Sequence, residues 1–106
     1  MIYELRQYEI KPGRMADTHR MFTEVCIPIF VELGISPLGF WEPLDPDGKT
    51  LVYLLGFVSP EDRERIWAEF KVHPGWLTEK AAWEDGSPYE NVTPTVLAAT
   101  SYSQMA

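Results

Sequence analysis

Three residues near the start of the chain, Glu4, Arg6 and Tyr8, sit two apart in IYELRQYEI. In an extended strand that spacing puts all three side chains on one face, with neighbours roughly 6.5–7 Å apart. A carboxylate, a guanidinium and a phenol so placed can do one of two things. They can form a structural ion pair, for instance at a seam between subunits. Alternatively, the arginine can hold a ligand carboxylate with the tyrosine beside it. The ion-pair reading ranks first. His19 recurs at helical spacing with Met15, Phe22 and Cys26, which predicts an inward, apolar position for it. A histidine there is a core residue with one satisfied nitrogen; the alternative is a general base or an axial haem ligand facing a pocket. His73, before Pro74, reads as a helix cap or a surface group. Two histidines so far apart, with no cysteine nearby, make no metal signature, so no metal site is expected. Trp41, Trp67, Trp76 and Trp83, with Tyr53 and Phe70, form a dense aromatic set. Such residues are mostly core, and a few can line a cavity for a flat apolar ligand. Cys26, on the apolar stripe, reads as an inert thiol. The chain has no Ser-His-Asp arrangement, no glycine-rich phosphate loop and no nucleotide fingerprint.

The elements that must position these groups follow from local signals. Residues 2–10 alternate as a strand, and Lys11-Pro12-Gly13 turns the chain. From Arg14 to about Leu33 apolar residues recur at three- and four-residue steps, which predicts a helix. Pro28 removes a backbone donor and predicts a kink or an early end there, and Gly34 closes the segment. Ile35 to about Pro43 and the run 51–58 flank Asp45-Pro46-Asp47-Gly48-Lys49, a hairpin signal. The run 51–58 is apolar on both alternate sets, so it reads as covered on both faces. Ser59-Pro60-Glu61-Asp62 starts a helix with a cap, a proline and an acidic first turn, and that helix carries Arg63, Ile66, Trp67 and Phe70 on one stripe. Trp67 is expected to be buried between this helix and the sheet. The helix ends near His73-Pro74, and a second short helix is expected from about Pro74 to Asp85. Val92–Thr100 is the last strand, at an edge because of Pro94, before a short polar tail, 101–106.

Strand, helix, strand, strand, helix, strand is the ferredoxin-like βαββαβ order, an α+β fold with both helices on one face of an antiparallel four-stranded sheet. The other face would be an apolar patch in a monomer. Pairing two sheets across a two-fold axis removes it, so a homodimer, or a higher oligomer built from such dimers, is expected. The 106 residues fit a single domain with one core. A net charge of −7 and scattered Lys and Arg argue against nucleic-acid partners. No apolar run approaches a membrane span, Glu4 and Arg6 interrupt any early signal sequence, and the single cysteine suits a reducing compartment; a cytoplasmic location is expected.

The chain resembles the NIPSNAP family over nearly its whole length. The residues that carry the resemblance are Ile2-Tyr3-Glu4-Leu5-Arg6 with Tyr8, Pro12-Gly13-Arg14, Gly39-Phe40-Trp41, Leu51-Val52-Tyr53-Leu54, Trp67 with Phe70, Pro74 with Trp76, and Leu97 with Tyr102-Ser103. His73 departs from the pattern, which has an acidic residue there. The resemblance implies the dimeric α+β barrel fold. That fold also serves small cofactor-independent monooxygenases, isomerases, decarboxylases and haem enzymes, and it transfers no catalytic motif.

The expectation for function is a small-molecule binding protein. Its ligand would be apolar or aromatic, in a pocket between helices and sheet lined by Arg6, Tyr8, His19, Trp41, Tyr53 and Trp67. A second reading is a cofactor-independent enzyme on a hydrophobic substrate, and a third is a haem-binding protein. The leading reading calls for no cofactor.

Overall fold

The strand that carries Glu4, Arg6 and Tyr8 lies inside the sheet. In the computed structural model, which describes residues 1–105, β1 (Ile2–Ile10) pairs antiparallel with β3 (Thr50–Phe57) on one side and with β4 (Tyr89–Ala98) on the other. β2 (Ser36–Trp41) pairs with β3, which gives the order β2-β3-β1-β4, the ferredoxin-like α+β topology. Pro94, opposite Arg6, is tolerated because β4 is an edge strand. Ala106, the end of the polar tail, lies outside the described residues.

The register decides what each face carries. Glu4 lies opposite Leu55, Arg6 opposite Tyr53 and Tyr8 opposite Leu51. These side chains share the helix-covered face with Phe57, and Leu51, Tyr53, Leu55 and Phe57 are all buried. Burying each such side chain contributes roughly 1.5–3 kcal/mol. Glu4, Arg6 and Tyr8 therefore face the helices and not a seam on the bare side. That bare side carries Val52 and Leu54, half-buried, and Leu97, 40% exposed. Trp41, opposite Val52, joins it, and its ring crosses Gly39 so closely that a Cβ there would stand 2.4 Å from the indole. Any side chain there would have to push the exposed indole aside.

The first helical stretch is one helix with a wide turn in it: α1 (Met15–Met21), a π-helical turn (Phe22–Cys26) and α2 (Ile27–Leu33). Pro28 has no N–H to give to the carbonyl four residues back, and next to it the Ile27 N–H reaches five residues back to Phe22. The helix passes through Pro28 and ends at Gly34, whose φ of +98° suits glycine. The wide turn sets the buried face. Upstream it runs through Thr18, Met21 and Phe22, and downstream through Cys26, Ile29 and Phe30. His19, expected inward, lies on the flank instead. Thr18 takes the inward place because it is small and its hydroxyl is satisfied by the Arg14 carbonyl at 2.9 Å.

α3 (Pro60–Val72) begins where its cap signals place it: Ser59 Oγ accepts from the Asp62 N–H at 3.1 Å. It buries Ile66 and Phe70. Trp67, expected to be buried, is half-buried: it packs on Phe30, Phe57 and Phe70 but also borders a hollow and an outer groove. α4 (Pro74–Ala81) is shorter than its sequence pattern and is capped by His73, whose Nδ1 accepts from the Gly75 N–H at 3.0 Å. The other ring nitrogen meets Glu32 at 2.6 Å, which fixes the proton on Nε2 and gives this histidine a structural role. Among the described residues no helix is long and apolar enough to cross a membrane.

Candidate functional site

β1 and β3 supply the floor of the site and α3 supplies one wall. Glu4, fully buried, is the anchor. Its Oε1 accepts from Arg63 Nε at 2.6 Å and from Trp67 Nε1 at 2.9 Å, and its Oε2 accepts from Arg6 Nη1 at 2.6 Å. Burial alone would push the Glu4 carboxyl up. The hydrogen bonds from Arg63, Trp67 and Arg6 outweigh it and hold the group below its ordinary range. Arg6 Nε donates to Tyr53 Oη at 2.7 Å, Arg6 Nη2 donates to Tyr8 Oη at 3.3 Å, and Tyr53 Oη donates to Tyr8 Oη at 3.0 Å. Burial opposes the charge on Arg6, but Tyr53, Tyr8 and Glu4 raise its pKa above the ordinary value, so it stays a cation. Tyr53 is pushed well up by burial first and by Tyr8 second, so it stays a phenol and can donate.

The guanidinium of Arg6 is framed by aromatic rings, 4.7 Å from the Trp67 centroid, 5.6 Å from Tyr8 and 5.9 Å from Tyr53. Above it lies a hollow of about 170 Å³, walled by Tyr8, Phe30, Tyr53, Trp67, Phe70 and Trp76. Cys26, from the π-helical turn, also lines it, and burial pushes its thiol up to about 12, as befits an unreactive group. The hollow shares Arg6, Trp67 and Lys71 with an outer groove of about 560 Å³ along α3, which also holds Arg63 and Glu64.

Four of the six expected residues, Arg6, Tyr8, Tyr53 and Trp67, meet at this site. His19 and Trp41 do not. They border a separate depression of about 280 Å³ with Phe22, Phe40 and Leu51. There His19 is 49% exposed, and its Nε2 stands 3.4 Å from Glu42 Oε2. Sequence reasoning passed over Arg63, although a charged residue on an apolar stripe is the signal that a buried partner awaits it. It also passed over Glu79, which is buried and accepts from Arg20 Nη2 at 3.0 and 2.8 Å and from Trp83 Nε1 at 2.8 Å. Only the four-residue step from Glu79 to Trp83 hinted at it. Among the described residues no group of acids, histidines and cysteines could hold a metal ion.

A family model described as NIPSNAP matches residues 3–104. The chain superposes on a NIPSNAP family protein with unknown function from Agrobacterium tumefaciens with a TM-score of 0.82 and 22% identity, covering 100% of this chain and 94% of that one. A second NIPSNAP family protein from the same organism gives 0.81 at 18% identity, covering 99% and 98%. A candidate antibiotic biosynthesis monooxygenase from Nitrosomonas europaea shares the fold with a TM-score of 0.67 at 13% identity, covering 93% and 98%. A comparison with curated proteins finds no match.

Proposed function

The chain belongs to the NIPSNAP family, and from that premise we propose that it binds a small apolar or aromatic molecule in the hollow between sheet and helices, against Arg6, Tyr8, Tyr53 and Trp67. The observation that carries this reading is the hollow itself, about 170 Å³ of aromatic-walled space with one framed cation at its floor. Pockets of that make-up, mostly apolar with a few convergent polar groups, are what ligand sites look like. Trp67 and Trp76 lie on the wall, and their fluorescence reports occupancy. Titration with toluene should give saturable quenching. Cys26→Leu, which fills the hollow from the π-helical turn at a cost of roughly 1–3 kcal/mol, should abolish the quenching while the chain stays folded. Absence of saturable change across a panel of aromatic compounds would end this reading.

A cofactor-independent enzyme is the second reading, and one observation favours it: Tyr8 lines the hollow, and its hydroxyl accepts two hydrogen bonds and donates none among the described residues. The haem reading rested on His19, which borders the other depression.

The same reading includes a second copy of the chain. Leu38, Trp41 and Leu97, 42%, 53% and 40% exposed, surround half-buried Val52 and Leu54 on the bare face, where a partner sheet would cover them. Light scattering at micromolar concentration should give twice the chain mass or a multiple of it, and a stable monomer would remove the pairing. A cytoplasmic site of action accords with the single, buried, free cysteine.

A further inference from the structure

A molecule in this hollow meets hydrogen-bond donors and hardly any free acceptor. Both oxygens of Glu4 are taken by Arg63, Trp67 and Arg6. Tyr53 Oη receives Arg6 Nε and gives its proton to Tyr8. Tyr8 Oη receives two donors, so its own proton has no acceptor among the described residues. Arg6 spends one hydrogen on each of three partners, and a guanidinium has five to give. Arg63 is held through Nε alone, which leaves both of its Nη groups unpaired among the described residues. Lys71 stands where hollow and groove meet, and among the described residues no ion pair claims it.

The charges agree with this inventory. Arg6, Arg63 and Lys71 face Glu4 and Glu64 here, three cations against two carboxylates, in a chain whose net charge is −7. A positive excess inside an acidic protein is not its average composition showing through. It gathers where the aromatic-walled hollow adjoins the groove along α3.

We propose that the ligand is the anion of a small aromatic carboxylic acid. This rests on the binding reading above and adds the ligand's chemical class. The ring enters the hollow, whose volume suits a single ring, since an apolar cavity of about 150 Å³ takes up benzene. The carboxylate, which can only accept, lies at Arg6, takes the Tyr8 proton as a hydrogen bond and has Arg63 and Lys71 on its solvent side. Charge-assisted hydrogen bonds of this kind are the strong ones, and guanidinium matches the carboxylate fork.

The test uses benzoate, its neutral isostere benzamide, and toluene, titrated by calorimetry and by the Trp67 indole N–H resonance. Benzoate should bind about tenfold or more tightly than benzamide, the size expected when bonds to a charged acceptor are lost. Added salt should weaken benzoate and leave toluene unmoved. Arg63→Gln should erase the preference. Lys71→Gln, which removes no hydrogen bond or ion pair found among the described residues and so keeps the fold, should reduce it by roughly threefold, as a solvent-exposed charge does. Benzamide binding as well as benzoate, or benzoate affinity unchanged in Lys71→Gln and in folded Arg63→Gln, would overturn the proposal. Toluene binding without benzoate would overturn the carboxylate alone and leave the apolar site standing. Binding of none of the three would remove both.

Discussion

Glu4 and Glu79 are buried carboxylates held in the same way, each by arginine and by a tryptophan indole, and they differ in what surrounds them. At Glu79 one arginine, Arg20, covers both oxygens and also reaches Glu24, and Asp17, Glu84 and Asp85 stand around. Its surroundings are acidic. It works as a clamp between α1 and α4. At Glu4 two arginines share one carboxylate, and tyrosines and an aromatic hollow lie beside them. The same unit, given a second arginine on the carboxylate itself and a hollow walled by aromatic rings in place of acids, becomes a place with an excess of cations. A buried ion pair alone is therefore poor evidence of a site; the apolar hollow and the surplus of cations next to it are the better sign.

The largest expected contrast is in stability. Glu4→Ala leaves two arginines without their shared partner, and breaking a buried pair of this kind costs about 3–5 kcal/mol. Glu79→Ala should cost less, about 1–3 kcal/mol, because Arg20 is 47% exposed and water replaces part of what is lost. Urea unfolding of both variants measures this, and a Glu79→Ala midpoint lower than that of Glu4→Ala would reverse the comparison.

The next contrast is in acid. Against the upward push of burial, the Arg63, Trp67 and Arg6 hydrogen bonds hold the folded-state pKa of Glu4 below its ordinary value of 4.5. A carboxylate depressed on folding contributes stability that is present above the unfolded pKa and lost as pH falls through the folded one. Below about pH 4.5 the stability of the chain should therefore fall with pH, and Glu4→Gln should flatten that limb by up to about 1.4 kcal/mol per pH unit. Equal slopes in the two proteins would mean that Glu4 does not carry the acid sensitivity.

The smallest contrast separates the two indoles. Trp67→Phe and Trp83→Phe each remove one N–H to a carboxylate and keep a ring, and each should cost about 1 kcal/mol. Their stabilities should be close, but only Trp67→Phe should alter toluene binding, since Trp83 lies outside that hollow. Ligand sensitivity in Trp83→Phe would blur the distinction between clamp and site.

Much of the framework was legible residue by residue. Ser59-Pro60-Glu61-Asp62 announced α3, Asp47-Gly48 announced the hairpin, and Pro94 announced an edge strand; all three are local steric or hydrogen-bonding signals, and all three hold. The stripe Arg63, Ile66, Trp67 and Phe70 also held, although the depth of Trp67 did not. The orientation of His19 was not legible. Steps of three and four residues back from Phe22 both suit a helix, and they point to His19 and to Thr18 respectively. The choice fell to the packing of the wide turn against the sheet.

The sequence by itself determined the order of the elements, the two-sided apolar strand and the sharing of one face by Glu4, Arg6 and Tyr8. Those are properties of period and capping, which act over a few residues. Tertiary structure alone decided that this face meets the helices, and that Arg63 and Trp67, 59 and 63 residues from Glu4, close upon it. Contacts at that separation exist only once α3 has docked across β1 and β3. The donors left over after docking are set by geometry in three dimensions, which no spacing along the chain encodes.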